Sequence, residues 1–253
     1  MRKFLRTFQS YFPALQPAKQ AFYHQYRKLL GRPHEPDFAA LKRLRAEAPG
    51  VYVDVGANHG QSIHSIRVFR PSAQIVAFEP NPNLAGELTR TYGRDSRVEI
   101  RAVGLGDDVG EFTLFVPAYR GFVYDGLASL DEAEAMTWIN AQRVYFFDPS
   151  KVEAVELTCR ISTLDRENLR PAFMKIDVQG FEYNVLAGGA KTLAAHEPIV
   201  LIENYNGDPR SVRLMSELGY LEYIYRDGAL VPGRSTGLNS FLITPNRAKA
   251  EGL

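Results

Sequence analysis

Val51-Tyr-Val-Asp-Val-Gly-Ala-Asn-His-Gly60 is the stretch from which the fold can be read. A β-branched, apolar run carries a carboxylate, Asp54, near its end, and two glycines follow four residues apart. That pattern describes a buried strand closing in a turn where the backbone comes close to a ligand. Gln74-Ile-Val-Ala-Phe-Glu-Pro80 repeats the design, an apolar strand ending in Glu79. Asp54 and Glu79 lie 25 residues apart, about one strand–helix–strand unit. Such units hold an adenosine-bearing cofactor at the carboxyl ends of their strands, with the second acid set for ribose hydroxyls.

The spacing of the glycines bears on which cofactor. A nicotinamide dinucleotide needs Gly-x-Gly-x-x-Gly, because its pyrophosphate sits on backbone N–H groups at the helix start. Here Gly56 and Gly60 flank Asn58, and Gln61-Ser62-Ile63 stands where the third glycine would be. A strand acid followed by Gly-x-Asn-x-Gly suits S-adenosylmethionine better. That cofactor has no phosphate, carries a sulfonium, and presents an amino-acid end that needs polar partners. Another adenosine ligand on a Rossmann-type turn remains the alternative at this point.

Further segments follow in order: Ala77-Phe-Glu-Pro-Asn-Pro82, Arg101-Ala-Val-Gly104, Lys175-Ile-Asp-Val-Gln-Gly-Phe-Glu182, Val185-Leu-Ala-Gly-Gly-Ala190 and Pro198-Ile-Val-Leu-Ile-Glu203. With the Asp54–Gly60 turn, this series resembles the FkbM family of S-adenosylmethionine-dependent methyltransferases over residues 50 to 246. Gln179 and Phe181 stand where that family more often has Glu and Ala. The resemblance implies a three-layer α/β fold, the Rossmann-like sheet of class I methyltransferases, mostly parallel with an antiparallel last strand. It also implies transfer of a methyl group to a hydroxyl of a sugar, glycolipid, glycan or secondary metabolite.

Methyl transfer from a sulfonium needs orientation of two reactants and, for an alcohol, removal of a proton. Asp54, Gly56, Ala57, Asn58 and Gly60 are expected to hold the methionine part of the cofactor. Glu79 is expected at the ribose hydroxyls, with a helix N-cap as its bland alternative. Asn81 and Val103 are expected near the adenine. Asp177, after a strand and before Gly180, is the first choice for a general base or substrate-orienting group, against a role as helix cap. Glu203 ends the next strand and faces it. His59, in the cofactor turn, is a third candidate, since imidazole suits proton transfer near neutral pH. Asp177, Glu203 and Asn204 together are similar to the oxygen ligands of metal-dependent catechol-type O-methyltransferases. The expected site holds no metal, with magnesium as the alternative.

Composition narrows the class. The 253 residues suffice for one sizeable core. The single cysteine, Cys159, excludes an intrachain disulfide and a cysteine-built zinc site, which suits a reducing, cytoplasmic setting. No apolar run approaches the roughly 20 residues of a membrane span, and the N-terminus lacks the features of a secretory signal. The net charge of +1 conceals an asymmetry: residues 1 to 34 hold seven Lys and Arg and no acid, leaving the rest at −6. An acidic catalytic part argues against nucleic acid as partner.

The basic stretch carries Phe4, Phe8, Tyr11, Phe12 and Leu15 at helical spacing, and Phe22, Tyr26 and Leu29 continue the stripe. It reads as an amphipathic helix that either packs on the rest of the protein or a partner, or lies on the inner membrane face.

The expected organisation is a helical extension over residues 1–49, a catalytic domain over 50–246, and a tail over 247–253. A helix is expected at Phe38 to Ala48. Residues 117–150 interleave aromatic and polar side chains as a lid or acceptor-binding insertion, with a satellite hydrophobic cluster or a dimer contact as the alternative. A dehydrogenase on a related sheet is the rival enzyme, but Tyr124 and Tyr145 lack a lysine four residues on. A scaffold that kept the fold is the rival outside catalysis.

Overall fold

The computed structural model describes residues 2–12, 31–45, 50–237 and 239–253. In chain order its strands are β1 Val51–Val55, β2 Ile75–Phe78, β3 Val98–Arg101, β4 Gly104–Leu105, β5 Gly110–Tyr119, β6 Phe122–Val123, β7 Val152–Ser162, β8 Pro171–Ile176, β9 Ile199–Glu203, β10 Leu221–Arg226, β11 Ala229–Pro232 and β12 Asn239–Ile243. The helices are α1 Arg2–Tyr11, α2 Gln61–Phe69, α3 Pro82–Tyr92, α4 Glu132–Thr137, α5 Glu182–Ala187, α6 Ala190–His196, α7 Pro209–Glu217 and α8 Pro245–Glu251, with a 3-10 helix at Pro36–Lys42. They form two compact units, Gly31–Gly110 with Arg160–Leu253, and Met1–Leu30 with Glu111–Cys159.

The larger unit is built on an eight-stranded sheet in the order β11-β10-β12-β9-β8-β1-β2-β3. β3, β2, β1, β8 and β9 run parallel. β12 enters antiparallel between β9 and β10, as expected of the last strand. β1 is flanked by β2 and β8, so the strand order reverses there, and a crevice opens at the carboxyl ends of those strands. Period-two alternation divides the core between the two faces of the sheet. Tyr52, Ala77, Phe173, Leu201 and Phe241 pack with Ile63 and Ile66 of α2. Val53, Val76, Met174, Val200 and Leu242 pack with Val185, Leu186, Leu193 and Met215 of α5, α6 and α7.

The domain boundaries differ from those read in the sequence at both ends. Phe38, Ala40 and Leu41 of the 3-10 helix are buried in the core on the α2 side, so the segment before β1 belongs to the larger unit. Burying Phe38 contributes roughly 1.5–3 kcal/mol. The expected helix at Phe38 to Ala48 is instead this short 3-10 turn, started at Pro36 and closed by an Arg43 N–H to Ala40 carbonyl bond. Residues 46–49 lie outside the described residues. At the other end, 247–253 does not trail as a tail, because α8 buries Ala248 and is capped by the Thr244 side chain.

The smaller unit gathers Tyr119, Phe122, Tyr124, Ile139 and Val144 into its own cluster. These aromatics, offered by the sequence as an acceptor platform, are consumed by packing, and the satellite-cluster reading applies to them. α1 forms as expected, and its contacts include the Thr7 hydroxyl accepting from the Tyr145 N–H, Lys3 Nζ donating to the Ala141 carbonyl, and the Arg120 guanidinium over the Tyr11 ring. Its aromatic stripe stays outside. Phe4 is 65% exposed, and Phe8, Tyr11 and Phe12 are also exposed. The rest of the stripe, Leu15, Phe22, Tyr26 and Leu29, falls outside the described residues.

Candidate active site at the carboxyl ends of β1, β2, β8 and β9

The turn after β1 is shaped by left-handed backbone. Gly56 (φ +83°), Asn58 (φ +48°) and Gly60 (φ +81°) lie in the region that glycine and asparagine enter most easily. At Gly56 a Cβ would stand 2.0 Å from the Asp177 carbonyl oxygen. The missing side chain therefore lets the β1 turn press against the β8 turn, and the Asp177 N–H donates to the Val55 carbonyl across that junction. The Gly56 and Ala57 N–H groups both donate to the Phe78 carbonyl, tying the turn to β2. At Gly60 a Cβ would meet the Tyr92 ring at 2.9 Å, so the start of α2 sits directly on α3.

Glu79 is buried, and its two oxygens accept from the Asn58 N–H (2.7 Å) and the Asn81 N–H (2.9 Å). It braces the loop while standing at the end of β2, where a ribose-binding acid is expected. The N-cap of α3 is Asn81, whose Oδ1 accepts from the Asn83 and Leu84 N–H groups. The cap considered for Glu79 therefore falls to its neighbour. Val103, half-buried, follows β3 along the same carboxyl edge.

Four polar atoms here are buried without a hydrogen-bond partner: both carboxylate oxygens of Asp54, Asn58 Oδ1 and Asn81 Nδ2. An orphaned buried polar group costs about 1–3 kcal/mol. Grouping three acceptors and a donor at the ends of two adjacent strands makes sense when a ligand completes them. Such a ligand must bring several donors and at least one acceptor, and the ammonium, ribose and adenine of S-adenosylmethionine meet that requirement.

The electrostatics point the same way. Burial pushes the Asp54 carboxyl up to about 7. Lys175 opposes this, Asp177 and Glu79 add to it, and the Ser62 hydroxyl pulls weakly downward without completing a hydrogen bond. Glu203 is raised well above the usual carboxylate range by burial, by its hydrogen bond and charge contact with Asp177, and by Glu35, with Lys175 again opposing. Lys175 is fully buried near the carboxyl end of β8, the only such Lys or Arg among the described residues. One cation thus serves Asp54, Glu203 and Glu35, with Asp177 beside the first two, leaving a surplus of negative charge.

The structure brings Asp177 and Glu203 together at the ends of neighbouring strands. Asp177 caps no helix: α5 starts at Glu182 after an N-cap at Phe181, and Glu182 closes its own turn by accepting from the Gly180 N–H. His59 is engaged elsewhere, its Nδ1 lying 3.2 Å from Glu87 on α3, which favours a pocket-lining role over a base. Asn204 is exposed and left-handed (φ +52°). Among the described residues no group of three His, Cys, Asp or Glu is disposed to hold a metal ion.

Sequence reading missed Lys175 as a functional residue, and Glu35, Asp37 and Asn239 altogether. Lys175 Nζ donates to Asn239 Oδ1 (3.2 Å), and Asn239 Nδ2 donates to Glu35 and Asp37 (2.9 Å each). The available signal was a lysine inside the apolar run Phe173-Met-Lys-Ile176, because a charge in a strand covered on both faces must be paired.

Comparison with known proteins agrees with this geometry. Residues 54–222 match the methyltransferase FkbM domain. A curated relative, 2-O-methyltransferase NoeI of Sinorhizobium fredii (strain NBRC 101917 / NGR234), is 29% identical over 144 residues, covering 56% of this chain and 58% of the relative. The chain therefore matches little more than half of that relative's length. Among solved structures, methyltransferase FkbM from Methylobacillus flagellatus KT superposes with a TM-score of 0.50 at 16% identity, over 83% of this chain and 48% of the other. A SAM-dependent O-methyltransferase from Thermotoga maritima gives 0.41 at 12% identity, over 83% and 65%. The fold is the Rossmann-like sheet of class I methyltransferases, and with its FkbM domain spanning well over half its length, the chain belongs to the methyltransferase FkbM family.

Proposed function

We propose that this protein is an S-adenosylmethionine-dependent O-methyltransferase whose acceptor is a hydroxyl of a sugar, glycan or secondary metabolite. The observation that carries the reading is Asp54, a fully buried carboxylate with both oxygens unpartnered, in a cluster where carboxylates outnumber the one buried cation. A cationic ligand completes that cluster, whereas the pyrophosphate of a dinucleotide would add to its negative surplus. This weighs against the dehydrogenase reading. The O-methyltransferase name of the Sinorhizobium relative supports oxygen as the acceptor atom.

When bound, S-adenosylmethionine supplies a methyl whose C–S bond breaks, its electron pair going to sulfur, as the bond to the acceptor oxygen forms. Asp54 accepts from the α-ammonium. Glu79 holds the loop through one lone pair of each oxygen and retains others for ribose hydroxyls. The Asp177–Glu203 pair takes the acceptor proton. Calorimetric titration with S-adenosylhomocysteine, with NAD as control, tests the reading. Micromolar binding of the first alone, abolished in Asp54→Ala, is expected, and binding of NAD in its place would sink it.

For the N-terminal region we propose contact with an anionic membrane surface, supported by the exposed Phe4, Phe8 and Phe12 on a segment that carries cations and no acid. Among the described residues no helix is long and apolar enough to cross a membrane. Co-sedimentation with phosphatidylserine vesicles, weakened by Phe4→Ser with Phe8→Ser, is the expected result. Binding indifferent to both substitutions refutes it.

A further inference from the structure

A cavity of about 470 Å³ opens beside Glu203, at the end of the sheet edge away from the Gly56–Gly60 turn. We propose that it is the acceptor subsite, fitted to one polyhydroxylated ring, with Glu203 as the catalytic residue that receives the acceptor proton. The proposal rests on the methyltransferase reading and goes beyond it by assigning the acceptor's place and chemical class.

Four separate pieces of chain form the walls. Glu203 ends β9, and Asn239 opens β12 directly opposite it in the antiparallel register. Arg234 to Gly237 precede β12, and Tyr225 and Arg226 end β10. The fourth piece, Glu35 to Asp37, lies before β1, and its flanks are held by four contacts to α2 and its C-cap Arg70. The His34 N–H donates to the Ser65 hydroxyl (2.8 Å), His64 Nε2 lies 3.1 Å from the Arg32 carbonyl, and the Arg70 guanidinium reaches the Leu41 and Leu44 carbonyls. A segment that is merely a leader to β1 has no need of such anchoring.

The polar groups are arranged as a built site. Asn239 spends its amide on Glu35 Oε2, Asp37 Oδ2 and Lys175 Nζ. One oxygen of each carboxylate is therefore fixed, and Glu35 Oε1 and Asp37 Oδ1 make no hydrogen bond among the described residues. Two fixed carboxylates that line a cavity accept from ligand hydroxyls, and Arg226 and Arg234 at its rim can donate to ligand oxygens. Ile224 and Tyr225 supply an apolar wall. Acceptors, donors and a flat apolar face, in a volume within the ordinary range for small ligands, match a hexose ring better than a phenol, which has few hydroxyls to meet three carboxylates.

Glu203 joins this cavity to the donor end. It contacts Asp177, and Asp177 is pressed against Gly56 in the donor turn. A ring hydroxyl at Glu203 loses its proton to that carboxylate while its oxygen gains the methyl. Atoms and charge then balance, with a neutral ether and a protonated acid as products beside the spent donor.

The test is transfer of labelled methyl from S-adenosylmethionine by the full chain to a panel of methyl hexopyranosides, with catechol as the contrasting acceptor. Each variant is also titrated with S-adenosylhomocysteine. Transfer to at least one hexopyranoside and not to catechol is expected. Glu203→Gln should bind S-adenosylhomocysteine within threefold of the parent while kcat falls by about 100-fold or more. Asp37→Asn should raise KM for the sugar by roughly tenfold with kcat nearly unchanged. Donor-product binding with no sugar transfer, transfer to catechol alone, or a Glu203→Gln kcat within threefold of the parent each overturns the proposal and leaves the donor site standing. Failure of the parent to bind S-adenosylhomocysteine strikes the methyltransferase reading itself.

Discussion

The two ends of the catalytic edge are made in different ways. At the β1–β2 end the site is mostly backbone: three left-handed residues within five, main-chain N–H groups on Glu79 and on the Phe78 carbonyl, and a glycine where a neighbouring carbonyl leaves no room. At the β8–β9–β12 end it is mostly side chains, with Lys175, Asn239, Glu35 and Asp37 joined across 204 residues of sequence. A backbone site tolerates few residue types at each position, whereas a side-chain network leaves its partners scattered. The first should therefore break abruptly on substitution, and the second by degrees.

The largest effect is expected at Gly56. Alanine there combines a left-handed backbone with a Cβ 2.0 Å from the Asp177 carbonyl. Gly56→Ala should cost about 3–4 kcal/mol in denaturant unfolding, above the usual penalty for a strained φ because the obstacle is main chain. A loss below about 1 kcal/mol would mean that the turn yields, and the contrast between the two ends would weaken.

Lys175→Met comes next and tests the other end. Removing the one cation leaves Asp54, Asp177 and Glu203 to repel one another in a buried setting, at a cost of roughly 3 kcal/mol. Lys175 holds down the pKa of both Asp54 and Glu203. Without it those groups stay protonated to higher pH, so the destabilisation should be greater at pH 8 than at pH 6. Equal losses at both would show that Lys175 acts by packing alone.

This contrast also explains how much was legible in the sequence. Asp54, Gly56, Asn58, Gly60 and Glu79 could be read because a strand end, a tight turn and a second strand end each impose their own local pattern. Asp177 and Glu203 could be read because they terminate apolar runs. Glu35, Asp37 and Asn239 carry no such mark, since their meaning arises only when β12 inserts beside β9 and the 3-10 helix docks on α2. Tyr119, Phe122 and Tyr124 were ambiguous for the same reason, because nothing local says whether a tyrosine faces a ligand or a neighbouring phenylalanine.

A smaller effect separates charge from shape at Asp54. Its folded-state pKa, about 7, lies well above that of an ordinary aspartate. The unliganded protein therefore loses stability as pH rises from about 4 through 7, where the unfolded chain ionises more readily. Asp54→Asn should accordingly raise Tm at pH 8 while removing donor binding. In the parent, the α-ammonium needs the ionised carboxylate, so affinity for S-adenosylhomocysteine, which keeps that ammonium, should tighten about tenfold from pH 6 to pH 8 and level off above neutrality. Binding that is flat across that range would show that Asp54 does not meet the ammonium.

The smallest effect is the finest probe of the backbone end, because Asn81 serves it twice. Its Oδ1 caps α3, and losing a cap costs about 1 kcal/mol. Its Nδ2 is buried without a partner, and the N–H that braces Glu79 belongs to the main chain, so it survives substitution. Asn81→Ala should therefore keep the loop intact, lower stability by about 1 kcal/mol, and weaken S-adenosylhomocysteine about fivefold through one lost hydrogen bond. If stability falls and affinity holds, Asn81 is a cap and nothing more, and the adenine must be met by groups further along the β3 edge, beginning with Val103.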